Sequence, residues 1–266
     1  SLFINNNELY ISTYPKGLFR STDNGKNWLK ISDYYITSIE NDSANNIIIG
    51  TVDMGILKSY NKGVSWEALN NGIENTYVNY IYHTDSKKIF IGTYGQGVFS
   101  SENNGSSWKA QNKEIEKEDV RVIASNSKGD LFIGTRRNGI FYSSDGGENW
   151  VEKNNSLTDK DILSICFDEN DNIYVGTYRN GIFKSENNGE NWSKIETSIE
   201  GLFSVNTCKF FNNTIYIGTN KGVYYSHDKG LNWILMGEQL NNSFISALAI
   251  SSSNYLYAGT YYQGIF

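Results

Sequence analysis

An eight-residue pattern ending in tryptophan occurs six times along the chain, as Ser21–Trp28, Ser59–Trp66, Ser101–Trp108, Ser143–Trp150, Ser185–Trp192 and Ser226–Trp233. Each copy opens with Ser, carries Asp or Asn third and Gly fifth, and closes with Trp; no tryptophan is used elsewhere. Successive tryptophans are 38, 42, 42, 42 and 41 residues apart. A period of this length marks an internal repeat, in which one unit cannot bury its apolar faces alone and must stack on its neighbours. The unbroken spacing therefore argues for one domain over residues 1–266.

A second motif shares the period. Gly-Thr, or Ser-Thr in the first copy, opens a short turn that closes on Gly, at 12–17, 50–55, 92–97, 134–139, 176–181, 218–222 and 259–264. There are seven of these against six octets, so the last repeat has no octet in this sequence.

Residues 162–195 show what one repeat contains. Four segments rich in β-branched and aromatic residues, 162–167, 172–177, 181–185 and 191–195, are separated by clusters of Asp, Asn and Gly. That is the pattern of four antiparallel strands joined by tight turns, and no helical periodicity competes with it. A four-stranded unit of this period is the pattern of a β-propeller blade. With strands lettered a to d from the axis outward, seven b strands predict an all-β, seven-bladed propeller. The blades fall at about 1–33, 34–73, 74–115, 116–157, 158–199, 200–240 and 241–266, the last incomplete with a, b and c only.

The octet falls in the c to d turn. Its third residue (Asp23, Asn61, Asn103, Asp145, Asn187, Asp228) is suited to accept turn N–H groups. Its glycine (Gly25, Gly63, Gly105, Gly147, Gly189, Gly230) is suited to positive φ. The tryptophan (Trp28, Trp66, Trp108, Trp150, Trp192, Trp233) then reads as the first residue of strand d, folded back as an apolar lid over its own hairpin.

This Ser-x-[Asp/Asn]-x-Gly-x-x-Trp octet resembles the Asp-box, or bacterial neuraminidase repeat. It is found in sialidases, xyloglucanases, sortilin-type receptors and photosystem II assembly-factor-like propellers. The resemblance covers essentially the whole chain and implies the propeller fold, with the boxes structural. It leaves function open, because enzymes and binding propellers share the box. The Gly-Thr spacing also resembles repeats of exported bacterial sensor and adhesion proteins, which implies an extracellular or periplasmic location.

Composition narrows the classes further. A formal net charge of -6 gives no support for a nucleic-acid surface. No apolar stretch approaches the ~20 residues of a membrane span, and no signal peptide is present in this sequence. The two cysteines, Cys166 and Cys208, are too few for a disulfide scaffold or a four-ligand zinc site. They lie in equivalent regions of successive repeats, either as buried free thiols or as a disulfide between neighbouring inner strands. No motif calls for a cofactor or metal: the run Asp168–Asn172 starts like a calcium loop, but Ile173 stands where such a loop turns on Gly.

Binding residues are sought on the end that carries the b to c and d to a loops, opposite the octets. Tyr94, Arg121, Arg136, Arg137, Tyr178, Arg179, Tyr261 and Tyr262 fall there. Tyrosine offers contact area at low entropic cost, and arginine grips carboxylate or sulfate in a bidentate geometry. A contiguous Tyr/Arg patch facing a protein or glycan is one reading; solvated arginines paired with Glu116, Glu118, Asp119, Asp159 and Asp161 is the other. The sialidase likeness is incomplete: the only proline, Pro15, follows Tyr14, so the Arg-Ile-Pro motif of those enzymes is absent. No pair of carboxylates is singled out for glycoside hydrolysis. The expected function is thus a non-catalytic, exported binding or scaffold propeller, a monomer or one domain of a longer protein. The alternative is a glycoside hydrolase-like enzyme or a propeller fragment of one.

Overall fold

The computed structural model describes residues 1–266 except Asn75, Asp85, Glu200 and Leu202, so the boundary drawn between the fifth and sixth repeats at 199/200 touches an undescribed residue. Six repeats form four-stranded antiparallel sheets in which strands adjacent in sequence are adjacent in space. In the fifth, Ile162–Phe167 pairs with Ile173–Thr177, then Ile182–Ser185, then Ser193–Lys194. The fold is an all-β propeller of four-stranded antiparallel blades. The one helical element among the described residues is the short 3-10 turn Glu238–Leu240. No helix among them is long and apolar enough to cross a membrane.

The seven-bladed expectation is corrected to six four-stranded blades. The seventh repeat forms a two-stranded sheet of Ile245–Ile250 with Leu256–Thr260. Its c segment is reduced to a bridge of Gly259 with Ile265 and reciprocal bonds of 3.0 Å between Ala258 and Phe266. Only Ile265 and Phe266 follow the turn glycine in this sequence, too few to build a ladder.

The chain divides into two compact units. Residues 1–123, 144–150 and 251–253 form the first; residues 124–143, 151–250 and 254–266 form the second. Within each, the core is laid down between successive repeats. In the first unit Ile48, Ile56 and Leu69 of the second repeat pack with Val78, Ile89 and Trp108 of the third. In the second unit Tyr174 and Ile182 of the fifth pack with Val205, Ile215 and Trp233 of the sixth.

The b strands explain the Gly-Thr motif. Ile47–Thr51, Ile89–Thr93, Leu131–Thr135 and Ile173–Thr177 are buried at every position, which is why they are apolar runs and not alternating ones. The glycine lets the next repeat's a strand lie against them: a Cβ on Gly176 would stand 2.4 Å from the Val205 carbonyl oxygen, and one on Gly92 2.9 Å from that of Val120. The threonine ties the following turn. Thr177 Oγ1 donates to the Gly181 carbonyl at 3.0 Å and accepts from the Asn180 N–H at 3.2 Å.

The octets form one hydrogen-bonded turn repeated along the chain. In the first, Ser21 Oγ donates to Asp23 Oδ1 at 2.8 Å and accepts from the Gly25 N–H at 2.9 Å. Asp23 Oδ1 in turn accepts from the Asn27 N–H at 2.8 Å. Asn serves equally: Asn61, Asn103 and Asn187 accept the corresponding N–H at 2.9, 2.9 and 3.0 Å. Hydrogen bonds from the Asn27 N–H and side chain hold the Asp23 carboxyl down at about 2; the Asn232 side chain and N–H do the same for Asp228, also about 2.

The tryptophan does more than cover its own hairpin. Its ring does pack on the turn glycine, with ring carbons 3.5 Å from a Cβ built on Gly25, Gly105, Gly147 or Gly230. It precedes strand d instead of opening it, however, and reaches back one repeat. Trp108, Trp150 and Trp192 donate Nε1–H to the carbonyls of Leu69, Gln111 and Lys153 at 2.8, 2.9 and 2.8 Å, each 39 residues earlier. These are the three tryptophans preceded by a 42-residue interval. Trp66 and Trp233, preceded by intervals of 38 and 41, have buried Nε1 atoms with no partner. Trp28 donates Nε1–H within its own turn, to the Gly25 carbonyl at 3.0 Å, so it is the bond to the preceding repeat that accompanies the 42-residue interval.

Candidate functional site

The arginine-bearing b to c turns of the fourth and fifth repeats converge on one segment of chain within the second unit. The fourth-repeat turn follows strand Leu131–Thr135 and holds Arg136 and Arg137; its Gly139 N–H donates to the Lys160 carbonyl at 3.0 Å. The fifth-repeat turn follows Ile173–Thr177 and holds Tyr178 and Arg179; the Tyr178 N–H donates to the Asp161 carbonyl at 3.0 Å. Asp159 closes the arrangement by accepting the Arg179 and Asn180 N–H groups on Oδ2, at 3.0 and 3.1 Å. Residues 159–161 thus form a backbone junction to which both turns are fastened.

Charge at this junction is unevenly engaged. Lys160 donates to Glu152 Oε1 at 3.1 Å, and Asn154 donates to the same oxygen at 2.6 Å. Asn154 first and Lys160 second hold the Glu152 carboxyl below the usual range. Arg179 stands over the Tyr178 ring, 5.5 Å from its centroid, a cation–π contact. Arg136 is half-buried, and Arg137 is exposed, with no ion-pair partner among the described residues. Tyr178 keeps 50 % of its surface exposed. The junction therefore offers a planar cation and an aromatic face on turns fixed by backbone hydrogen bonds.

The other candidate residues, and Arg20, have contacts of their own. Tyr94 belongs to the first unit, where its ring stacks on Tyr77 at 5.1 Å and its N–H donates to the Tyr77 carbonyl at 3.0 Å. Arg121 also belongs there, half-buried in strand Val120–Ser125. Tyr261 and Tyr262 sit on the seventh repeat's turn in the second unit, 4.7 Å apart, with Phe244 5.6 Å from Tyr261. Arg20 is withdrawn from any surface role by a bidentate pair with Glu8, at 2.6 and 3.0 Å. Asp119 accepts from Asn79 Nδ2 at 2.6 Å. Sequence reasoning missed the supports: Asp159 as acceptor of turn N–H groups, and the buried Thr135 and Thr177 that tie each turn. The recurring Gly-Thr was the available signal for the threonines.

The chain is similar to proteins already known. The family model of the photosynthesis system II assembly factor YCF48 matches residues 31–255. No curated protein matches the chain. Among solved structures, YCF48 bound to D1 peptide is 16% identical with a TM-score of 0.78, covering 99% of this chain and 89% of that one. The extracellular domain of the one-component system BT4673 from B. thetaiotaomicron is 15% identical with a TM-score of 0.79; the match covers 99% of this chain but 39% of that one. The GH74 xyloglucanase from Xanthomonas campestris is 13% identical with a TM-score of 0.67, covering 96% of this chain and 49% of that one. At these identities the likeness is one of fold, and the chain spans about two fifths of the BT4673 domain. Because the family model takes in most of the sequence, the chain belongs to the family of the photosynthesis system II assembly factor YCF48.

Proposed function

We propose that the protein is a non-catalytic binding propeller of an exported protein, and that it holds an acidic peptide segment of a partner against the junction at residues 159–161. The observation that carries this reading is the fastening of two arginine-bearing turns to one segment, with Arg137 exposed and Arg179 stacked on Tyr178. Backbone-fixed turns lose little entropy on binding, and an arginine fork pairs a carboxylate in two parallel hydrogen bonds. The YCF48 structure with D1 peptide supports a peptide as ligand, and the extracellular domains from B. thetaiotaomicron support the exported location. The nearby carboxylates are occupied with scaffold work, Asp159 on turn N–H groups and Glu152 on Lys160 and Asn154. That leaves them poorly placed as an acid and base pair, so the glycosidase alternative is not favoured.

The test is calorimetric titration of a peptide of alternating glutamate and tyrosine into the wild-type chain and into the double variant Arg137→Ala/Arg179→Ala, at two salt concentrations. Two desolvated charge-assisted contacts, each about 1.5–3 kcal/mol, correspond to a loss of roughly 100-fold or more in affinity. Contacts that remain exposed cost far less and fade with salt. Equal affinity for both proteins would remove the arginines from the site.

A further inference from the structure

We propose that Cys166 and Cys208 are a modification site, closing to a disulfide that joins the innermost strands of the fifth and sixth repeats under oxidising conditions. Cys166 lies on Ile162–Phe167 opposite Tyr174 of the neighbouring b strand, and Cys208 lies on Val205–Phe211 opposite Ile217. The Cys208 Sγ sits 3.8 Å from the Tyr174 carbonyl oxygen, the backbone of Cys166's own cross-strand partner. Both thiols belong to one apolar cluster with Tyr174, Val205 and Trp233. Both are buried and free in this structure.

The chemistry needs one co-reactant, a small disulfide such as oxidised glutathione. One cysteine loses its proton and attacks a glutathione sulfur, breaking that S–S bond and releasing one glutathione thiolate. The second cysteine, deprotonated, attacks the mixed disulfide and releases the other. The pair has then given up two protons and two electrons, and the glutathione disulfide has become two thiols.

Burial, then the neighbouring Cys208 thiol, pushes the Cys166 thiol well above its ordinary value, so thiolate is scarce while the repeats are closed. The bond therefore forms as the repeats assemble or when their seam opens locally. In a repeat array each unit is held by its neighbours, so a covalent link across one seam suppresses opening there. That seam carries strand Ile173–Thr177, which leads directly into the Tyr178–Arg179 turn, yet the inference stands without any ligand.

The experiment refolds the full chain from denaturant in a buffer of oxidised and reduced glutathione. It is then alkylated under denaturing conditions and weighed intact. The expected product takes no alkyl group and is lighter than the reduced chain by two hydrogens. Its thermal unfolding temperature falls on adding dithiothreitol, whereas Cys166→Ser and Cys208→Ser chains, each purified with its one free thiol and taking one alkyl group, do not respond. The proposal is overturned by a refolded wild-type chain that takes two alkyl groups, by one carrying glutathione on either cysteine, or by an unfolding temperature unchanged on reduction.

Discussion

Replacing Trp150 and Trp233 by phenylalanine, separately, should have unequal consequences although the two residues close equivalent turns. Trp150 and Trp233 are buried to 3% and 8% residual exposure, so each change removes a similar amount of packed ring. Trp150 also loses its 2.9 Å bond to the Gln111 carbonyl and leaves that acceptor buried. A hydrogen bond of this kind is worth about 1 kcal/mol, and an abandoned buried polar group costs a further ~1–3 kcal/mol. Trp233 Nε1 has no partner to lose. Its removal relieves a desolvated donor and offsets the lost packing. The packing loss is common to both variants, so the difference in unfolding free energy should be at least roughly 2 kcal/mol, with Trp150→Phe the less stable. Urea unfolding followed by far-ultraviolet circular dichroism measures it through the midpoints at a shared slope. Equal destabilisation, or a larger loss for Trp233→Phe, would refute the link between repeat length and indole satisfaction.

Acid sensitivity should come in part from Glu8, Asp23 and Asp228. Burial opposes ionisation of Glu8, but hydrogen bonds from Arg20, Lys62 and Tyr10 outweigh it and hold the carboxyl at about 2; the two aspartates are also at about 2. With folded values below the ordinary 4.5 and 3.8, their stabilisation is present above those values and is lost as pH falls toward about 2. Asp23→Asn should flatten that loss without disturbing the fold, since Asn fills the same position in three other octets; unfolding curves at falling pH decide it. Gly147→Val should cost about 1–3 kcal/mol, because φ at this residue is +93 and a β-branched side chain resists it; an unchanged unfolding temperature would contradict this. Gly176→Ala should likewise destabilise by about 1–3 kcal/mol, with its Cβ 2.4 Å from the Val205 carbonyl oxygen. Gly259→Ala, whose Cβ would meet nothing closer than 3.7 Å, should leave thermal unfolding unchanged.

The strands and turns were legible because each repeat states the same local rules several times. One Asp/Asn-x-Gly turn is ambiguous; six in register are not. What the repeats could not reveal was anything carried between them. The tryptophan looked like a lid on its own hairpin because the octet contains both, whereas its Nε1 acceptor lies 39 residues away, on a residue that is Leu69, Gln111 or Lys153. A backbone carbonyl has no side-chain signature, so only the interval hinted at it. The seventh repeat was over-read for the opposite reason: its b strand and turn are intact in sequence, but a blade also needs c and d strands to pair with. Of the candidate site, the arginine turns could be placed on one end from strand order alone. Their common anchor at residues 159–161 depends on backbone N–H groups and one Asp159 oxygen, which composition does not distinguish from an ordinary acidic linker.

Hydrogen–deuterium exchange of the full chain, with and without the glutamate–tyrosine peptide, asks most directly where this propeller binds. Slowed exchange at the Gly139, Tyr178, Arg179 and Asn180 amides, with the octet turns around Gly147 and Gly189 unaffected, is the predicted result. Slowing confined to the octet turns, or none anywhere at saturating peptide, would contradict binding at the arginine-bearing junction.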